Sequence, residues 1–455
     1  MGAQYSSPTS PRTPGAARRR VIGLAWPLIV SNLTVPLLGL VDTAVVGHLP
    51  DSRYLGGVTL GATLFSFLYW GFGFLRMGTT GLAAQACGRG DRDDLIRLLG
   101  QSLILAALIG LGLIALHPLL IPLGLSLLDG SAAVTAEADT YARLRILSAP
   151  AVLANYALIG WFLGRGESRV TLVLMIVNNV ANILLDLLFV VGLGMTTDGV
   201  ALASVMADYL AFVTGIGWAL HVWRGWGWRR VTGVFGPVAG YQRLLGVNAA
   251  LFIRTLCLLF AFAFFHAQGA QLGDVTLAAN AVLLQFVLLA SYGLDGFAHA
   301  TESLVGQQIG ADDEAGFRRV MRAALEWSLA TAVLASAGFA LGGEALIRLL
   351  TDLPDVRAAA MRFLPWMVAM PVLAAGSYLL DGVFIGATRT RAMRDTMIIA
   401  VLAGYLPVWW ITQPLGNHGL WLAFVSFTLA RGGLLGLIFW RNWRQRAWFS
   451  AALDA

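Results

Sequence analysis

The 455-residue chain is 58% hydrophobic and 12% charged, with a formal net charge of +6, where ordinary soluble domains are about 25% charged. That balance excludes a soluble globular domain and fits a chain that crosses a membrane many times. The basic excess is all arginine, and without lysine there is no Walker A loop and no Schiff base, so neither ATP hydrolysis nor lysine-based catalysis is expected.

Residues 1–20, MGAQYSSPTSPRTPGAARRR, are polar and rich in Pro and Ser, and read as a disordered cytoplasmic N-terminus. The apolar stretch that follows is too long for a cleaved signal peptide and reads as a first span at 21–47. Pro27 and Pro36 stand in it, each removing an intrahelical hydrogen bond, so a kink is expected. After them comes Asp42, a carboxylate at membrane depth, which costs roughly 2.5–3.5 kcal/mol on insertion scales. The prolines suggest a helix whose bend follows the charge state of Asp42.

Further apolar runs fall at 56–80, 98–128, 145–164, 170–194, 199–221, 245–268, 277–305, 325–350, 363–388, 395–413 and 418–440, which makes twelve helices. The fifth reads VNNVANILLDLLFV from 177 to 190, so Asn178, Asn182 and Asp186 recur every four residues along one face. The sixth carries Ser204 and Asp208, and Asp208 has no evident partner. Asp295, Glu302 and Asp381 are the other intramembrane acids. Asp295 and Asp381, with Asn155 and Asn178, are candidates for a substrate cleft, the bland alternatives being a buried pair or a capping role for the acids and helix–helix hydrogen bonds for the asparagines. Arg254 and Glu302 lie at similar depths by helical rise and suggest a structural ion pair. Phe65, Tyr69, Trp161, Tyr292 and Met175 could stack on planar cations, although lipid-facing packing is the default for aromatics in such spans. Cys87 and Cys257 read as buried small residues, and the six histidines form no metal motif.

With the N-terminus inside, most arginines fall on the cytoplasmic side, leaving Arg53, Arg143, Arg145, Arg348, Arg357 and Arg362 outside. Both termini are therefore expected in the cytoplasm. The chain also repeats itself once. GFGFLRMGTTGLAAQACGRGD from 71 aligns with GLDGFAHATESLVGQQIGADD from 293, and YALIGWFLGRGESR from 156 with YLLDGVFIGATRTR from 378, both at an offset of 222 residues. Each half then holds six helices that enter from the same side. The expected fold is an all-α integral membrane protein of twelve transmembrane helices in two parallel six-helix bundles, with pseudo-two-fold symmetry about the membrane normal. Its expected parts are an N-terminal lobe at 21–221, a cytoplasmic linker at 222–244, a C-terminal lobe at 245–440 and a cytoplasmic tail at 441–455.

Trp26 and Pro27 at the opening of the first helix, VDTAVVGHL around Asp42, the loops QACGRGD and GQQIGADD, and DGVFIGATRTRAMRD after the tenth helix together resemble the multidrug and toxic compound extrusion (MATE) family. The form of 295-DGFAHATESLVGQ-307 resembles its DinF-like branch, and the resemblance spans residues 20 to 440. It implies a secondary active multidrug efflux antiporter, not an enzyme, that exports organic, cationic and amphipathic compounds in exchange for H⁺ or Na⁺ by alternating access. No cofactor and no nucleic acid is implied; the partners are membrane lipid and small-molecule substrates. A monomer is expected, multi-pass in a bacterial-type inner membrane. The alternatives are export of an organic-acid metabolite and flipping of a lipid-linked substrate.

By helical rise, Asp42 lies ~9 Å below His48, Asp186 ~12 Å below Gly194 and Ser204 ~8 Å below Gly199, so one cluster in the outer third of the first lobe is geometrically possible. Two carboxylates in a poorly hydrated pocket cannot both ionise cheaply, so one should hold a proton or a small cation. The resemblance assigns coupling of protons or sodium to the helix-one Asp, the helix-five Asn and Asp and a helix-six hydroxyl. Here those are Asp42, Asn182, Asp186 and Ser204, with Ser where the family often has Thr. The repeat puts Phe264 and Val408 opposite Asp42 and Asp186, so coupling is expected in the first half only.

Overall fold

The computed structural model describes residues 11–47, 49, 51–128, 130–227 and 238–450, the side chains of residues 35–38, 40, 42, 43, 238–240 and 450 excepted. Twelve long helices follow one another among the described residues: α1 Pro14–Gly47, α2 Ser52–Arg89, α3 Arg92–Ser126, α4 Ala132–Gly164, α5 Ser168–Gly192, α6 Thr197–Gly225, α7 Tyr241–Gln271, α8 Asp274–Gly310, α9 Glu314–Leu350, α10 Pro354–Gly386, α11 Thr390–Leu415 and α12 Asn417–Arg444. By length and composition α2 to α12 can each cross a membrane, and the 34-residue α1 completes the expected twelve. No strand occurs among the described residues. The chain is an all-α, multi-pass membrane protein.

The helices outrun their apolar runs, at a single end most of all in α4, which was expected from 145 and begins at Ala132 behind a Ser131 cap. Residues 132–145 include Glu137, Asp139, Arg143 and Arg145, and a search for uncharged runs stops short of them. Several of these charges are met within the protein: Glu137 by Thr197 at 2.9 Å, Arg145 by Asp208 at 2.6 Å. Arg145, expected at the outer end of the fourth span, is therefore well inside a helix. The N-terminal segment also needs correcting, because residues 14–20, expected to be disordered, form the first turns of α1. Thr13 Oγ1 accepts from Ala16 N at 3.2 Å, and Arg18 and Arg20 reach Glu326 at 2.6 Å and Gln307 at 3.0 Å. Residues 1–10 and 228–237 lie outside the described residues, but the expected linker is helical at 222–225 and from Val238. Past the expected limit of 440, α12 runs to Arg444 and a short α13, Ala447–Ser450, follows.

The repeat in the sequence corresponds to repeated backbone devices. Asp91 and Asp313, one repeat apart, cap α3 and α9 by accepting from Asp94 N at 2.9 Å and Gly316 N at 2.8 Å, a contribution of about 0.5–2 kcal/mol each. Left-handed residues recur at matched turns, Gly90 with Asp312, Gly166 with Thr388 and Gly194 with Gly416. Gly160 and Gly164 bring α4 against α2, where a Cβ would collide with the Arg76 and Thr80 carbonyls. Gly382 and Gly386 do the same for α10 against the Ala298 and Glu302 carbonyls of α8. Lipid tails are as apolar as leucine, so helices in a bilayer associate largely through such close contact.

Packing divides the chain into two units, Val30–Ala86 with Asp91–Leu244, and Leu245 onward with the start of α1 up to Ile29 and with Cys87–Gly90. The first helix is thus shared, where the sequence put all of it in the N-terminal lobe. The cause is local. Gly296 of α8 leaves room that Ile29 fills, facing the Ala25 carbonyl, and Arg18 and Arg20 make their bonds to Glu326 and Gln307 in the same unit. Pro27, which lacks the N–H that would continue the ladder, stands two residues before the division. Within the first unit the core is built on Trp161, Phe162, Leu95 and Ile146, and within the second on Phe265, Phe286, Tyr405, Trp421 and Phe427.

Candidate functional site

α5 turns its polar stripe away from lipid. Asn182 and Asp186 are buried, while Val180, Leu184 and Leu187 between and beside them are exposed. Asn182 Nδ2 donates to Ser204 Oγ of α6 at 3.0 Å, and one turn earlier Asn178 Nδ2 donates to Asp208 Oδ1 at 2.9 Å. Because α5 and α6 are antiparallel, these are successive rungs of one ladder. Asp186, a further turn along α5 and 0% exposed, is level with Val200. At the next residue α5 widens into a π-helical turn, Leu187–Gly192, and Leu193 N bonds back to Leu188 O at 2.9 Å.

Asp42 and Pro36 belong to α1, but their side chains lie outside the described residues. The helix itself is tied to α5, since Asn179 Nδ2 donates to Thr34 Oγ1 at 2.9 Å. Alternating spans make α1 and α5 parallel. Seven residues on from that bond, Val41 and Asp186 share a level, with Asp42 the next residue. The structure thus joins Asn182 to Ser204, sets the buried Asp186 one turn further along the same face of α5, and ties α1 to α5 through Thr34.

Asp208, partnerless in the sequence, holds Arg145 of α4 in a buried ion pair. Asn155, a cleft candidate, donates to the Asp208 backbone carbonyl at 3.0 Å, and Asn178 is engaged by the Asp208 carboxylate. Phe65, Tyr69 and Trp161 are buried and not lipid-facing. The Arg145 guanidinium lies 6.0 and 5.4 Å from the Phe65 and Tyr69 rings, and Trp161 Nε1 donates to Leu95 O at 2.9 Å.

In the second unit the expected Arg254–Glu302 pair is not formed. Arg254 donates to Asp381 Oδ2, with Arg431 Nη2 4.0 Å from the same oxygen and Arg431 Nε on Ser377 Oγ at 2.5 Å. Glu302 Oε1 lies 3.1 Å from His299 Nδ1. Glu302 is level with Gly386, five residues beyond Asp381 on α10, so depth counted from the expected helix ends chose the wrong acid. Asp295 is half-buried on α8, in the electrostatic range of Tyr292 and Tyr378. Among the described residues no three His, Cys, Asp or Glu side chains converge to hold a metal ion.

The MatE family model matches this chain twice, at residues 27–188 and 250–410, with the two matches ending one repeat apart. The chain belongs to the MATE family. It is 44% identical to the DNA damage-inducible protein F of Escherichia coli K12, over 94% of this chain and 93% of that protein. It is 27% identical to the multidrug resistance protein NorM of Vibrio cholerae, over 91% and 93% of the two chains. A solved structure described as the outward-facing conformation of a multidrug resistance MATE family transporter of the MOP superfamily shares the fold, with a TM-score of 0.81 at 18% identity over 95% of this chain and 96% of that one.

For a MATE chain read from sequence alone, the stripe on α5 was visible and its braces were not. Arg145 was missed because it lies 63 positions from Asp208 and was placed at the outer end of the fourth span. One signal could have found it: a carboxylate in the middle of α6 with no partner asks for a buried cation.

Proposed function

We propose that this MATE chain is a secondary antiporter of the inner membrane, with both termini cytoplasmic, that exports amphipathic organic cations in exchange for protons. Its coupling site would be Asp186, Asn182 and Ser204 with Asp42 of α1. The observation that carries this reading is a fully buried carboxylate one turn beyond the Asn182–Ser204 rung, in a helix otherwise apolar toward lipid. A carboxylate so placed is costly to keep charged, and a second one on α1 raises that cost. Taking up a proton from outside and giving it up inside therefore changes the energy of the first unit. Pro27 and Pro36 let α1 respond by bending. The names of NorM and of the outward-facing neighbour support multidrug substrates. Sodium is the alternative cation, since amide and hydroxyl oxygens are hard donors.

The test is ethidium export by everted vesicles under an imposed pH or sodium gradient. A pH gradient alone should drive it, and Asp186→Asn should abolish that drive. Export driven by sodium alone would reassign the cation, and export indifferent to both gradients would overturn the antiporter.

A further inference from the structure

Four helices of the first unit converge on an ion pair that this coupling scheme does not use. Asp208 is one turn from Ser204 on α6. Its Oδ2 takes Arg145 Nη1 at 2.6 Å, and its Oδ1 takes Asn178 Nδ2 at 2.9 Å, one turn before Asn182 on α5. Arg145 is braced in turn. It donates to Ser148 Oγ, which lies 3.1 Å from Tyr69 Oη of α2, and Tyr69 also donates to the Arg145 carbonyl at 3.4 Å. The side chains of the pair are only 14% and 8% exposed. Other charged or titratable groups near it are Arg76 of α2, Tyr141 and Tyr156 of α4 and Tyr209 of α6.

A single rung between two helices leaves each free to turn or slide about it, whereas two rungs a helical turn apart fix both motions. The second rung, Asn178 on Asp208, is the one anchored by a charge and held from α2 and α4.

We propose that Arg145 and Asp208 are positioning residues for the coupling site. Acting through Asn178, they hold α5 on α6 in the register that keeps Asn182 on Ser204 and sets Asp186 one turn beyond. This rests on the reading of Asp186 as the coupling carboxylate.

The full-length chain in proteoliposomes tests it, with ethidium export measured against increasing proton or sodium gradient, alongside thermal melting. Arg145→Met combined with Asp208→Leu removes both charges together, which a buried pair tolerates far better than the loss of one partner, and deletes the acceptor for Asn178. Melting close to wild type is expected, with the half-saturating cation concentration moved by about tenfold and the maximal rate nearly kept, the size of a lost charge-assisted hydrogen bond. Asn178→Leu leaves the ion pair intact and cuts only the rung; it should move half-saturation the same way, and it decides the matter if the double variant does not fold. A merely structural pair would change melting and leave half-saturation alone. Half-saturation within about twofold of wild type in the folded variants would overturn the proposal. Asp186→Asn runs in parallel. If it still couples, the coupling-site reading fails; if it is uncoupled while the other variants match wild type, only the positioning role fails.

Discussion

Where α5 of the first half carries Asn182 and Asp186, α11 of the second carries Gly404 and Val408, and where α6 carries Asp208, α12 carries Ala430. The same helix pair is therefore joined in two ways. In the first half amides and a carboxylate form hydrogen-bonded rungs; in the second Gly404 lies so close that a Cβ would come within 2.8 Å of the Ala430 Cβ. Both halves also bury an Arg–Asp pair, but at unrelated positions: Arg145 and Asp208 match Met367 and Ala430, and Arg254 and Asp381 match Asn32 and Ile159. Duplication has preserved caps, turns and crossings, while the ionisable groups were placed independently. Backbone devices carry the fold in both halves, and the ladder that ends in a buried carboxylate is confined to the first.

This contrast can be broken or sharpened by substitution. The largest effect on stability should come from breaking one partner of either pair. Asp208→Leu or Asp381→Leu alone leaves buried arginine charge and should cost about 3–5 kcal/mol, seen as a steep fall in melting temperature, whereas Arg145→Met with Asp208→Leu should recover most of it and Arg254→Met with Asp381→Leu only part, because Arg431 also loses its carboxylate. Unequal losses would mean that one pair is more dispensable than its burial implies. A smaller and symmetric loss is expected from Gly160→Ala and Gly382→Ala, about 1–3 kcal/mol each as overpacking against backbone carbonyls. Tolerance in one half alone would contradict the shared crossing.

The smallest effect belongs to a turn whose backbone the halves share but whose side chains differ. Burial pushes the Glu167 carboxyl above the ordinary carboxylate range, against the pull of Arg165 at 2.8 Å, and its Oε2 is buried without a hydrogen bond. A raised carboxyl contributes stability that is complete at low pH and is lost as pH rises through the raised value. Glu167→Gln should therefore melt slightly above wild type at neutral pH and together with it below pH about 4. The matched Arg389 instead donates to Ala447 O and gives no such dependence.

Much of this was legible in the chain. Lipid requires about 20 apolar residues per span, so the twelve helices could be counted, and a four-residue spacing puts Asn178, Asn182 and Asp186 on one face whatever surrounds them. The glycines of YALIGWFLG and YLLDGVFIG matched as letters before their crossings were known. Depth was legible only as well as the helix ends were: the seventh is helical from Val238 and not from 245, and Glu302 lies level with Gly386, five residues beyond Asp381, which is why Arg254 was matched to Glu302 and not to Asp381. The start of α4 was hidden because it carries four charges, two of which, Glu137 and Arg145, meet partners distant in sequence, and the π-turn after Asp186 has no signature in LLFVVG.

The central claim is that the coupling carboxylate belongs to the first half. Substrate-induced proton release from the purified protein tests it most directly, comparing wild type, Asp186→Asn, and Arg254→Met with Asp381→Leu. Addition of ethidium should release protons from wild type and from the second-half variant, and not from Asp186→Asn. Release that persists in Asp186→Asn and vanishes in the second-half variant would contradict the account.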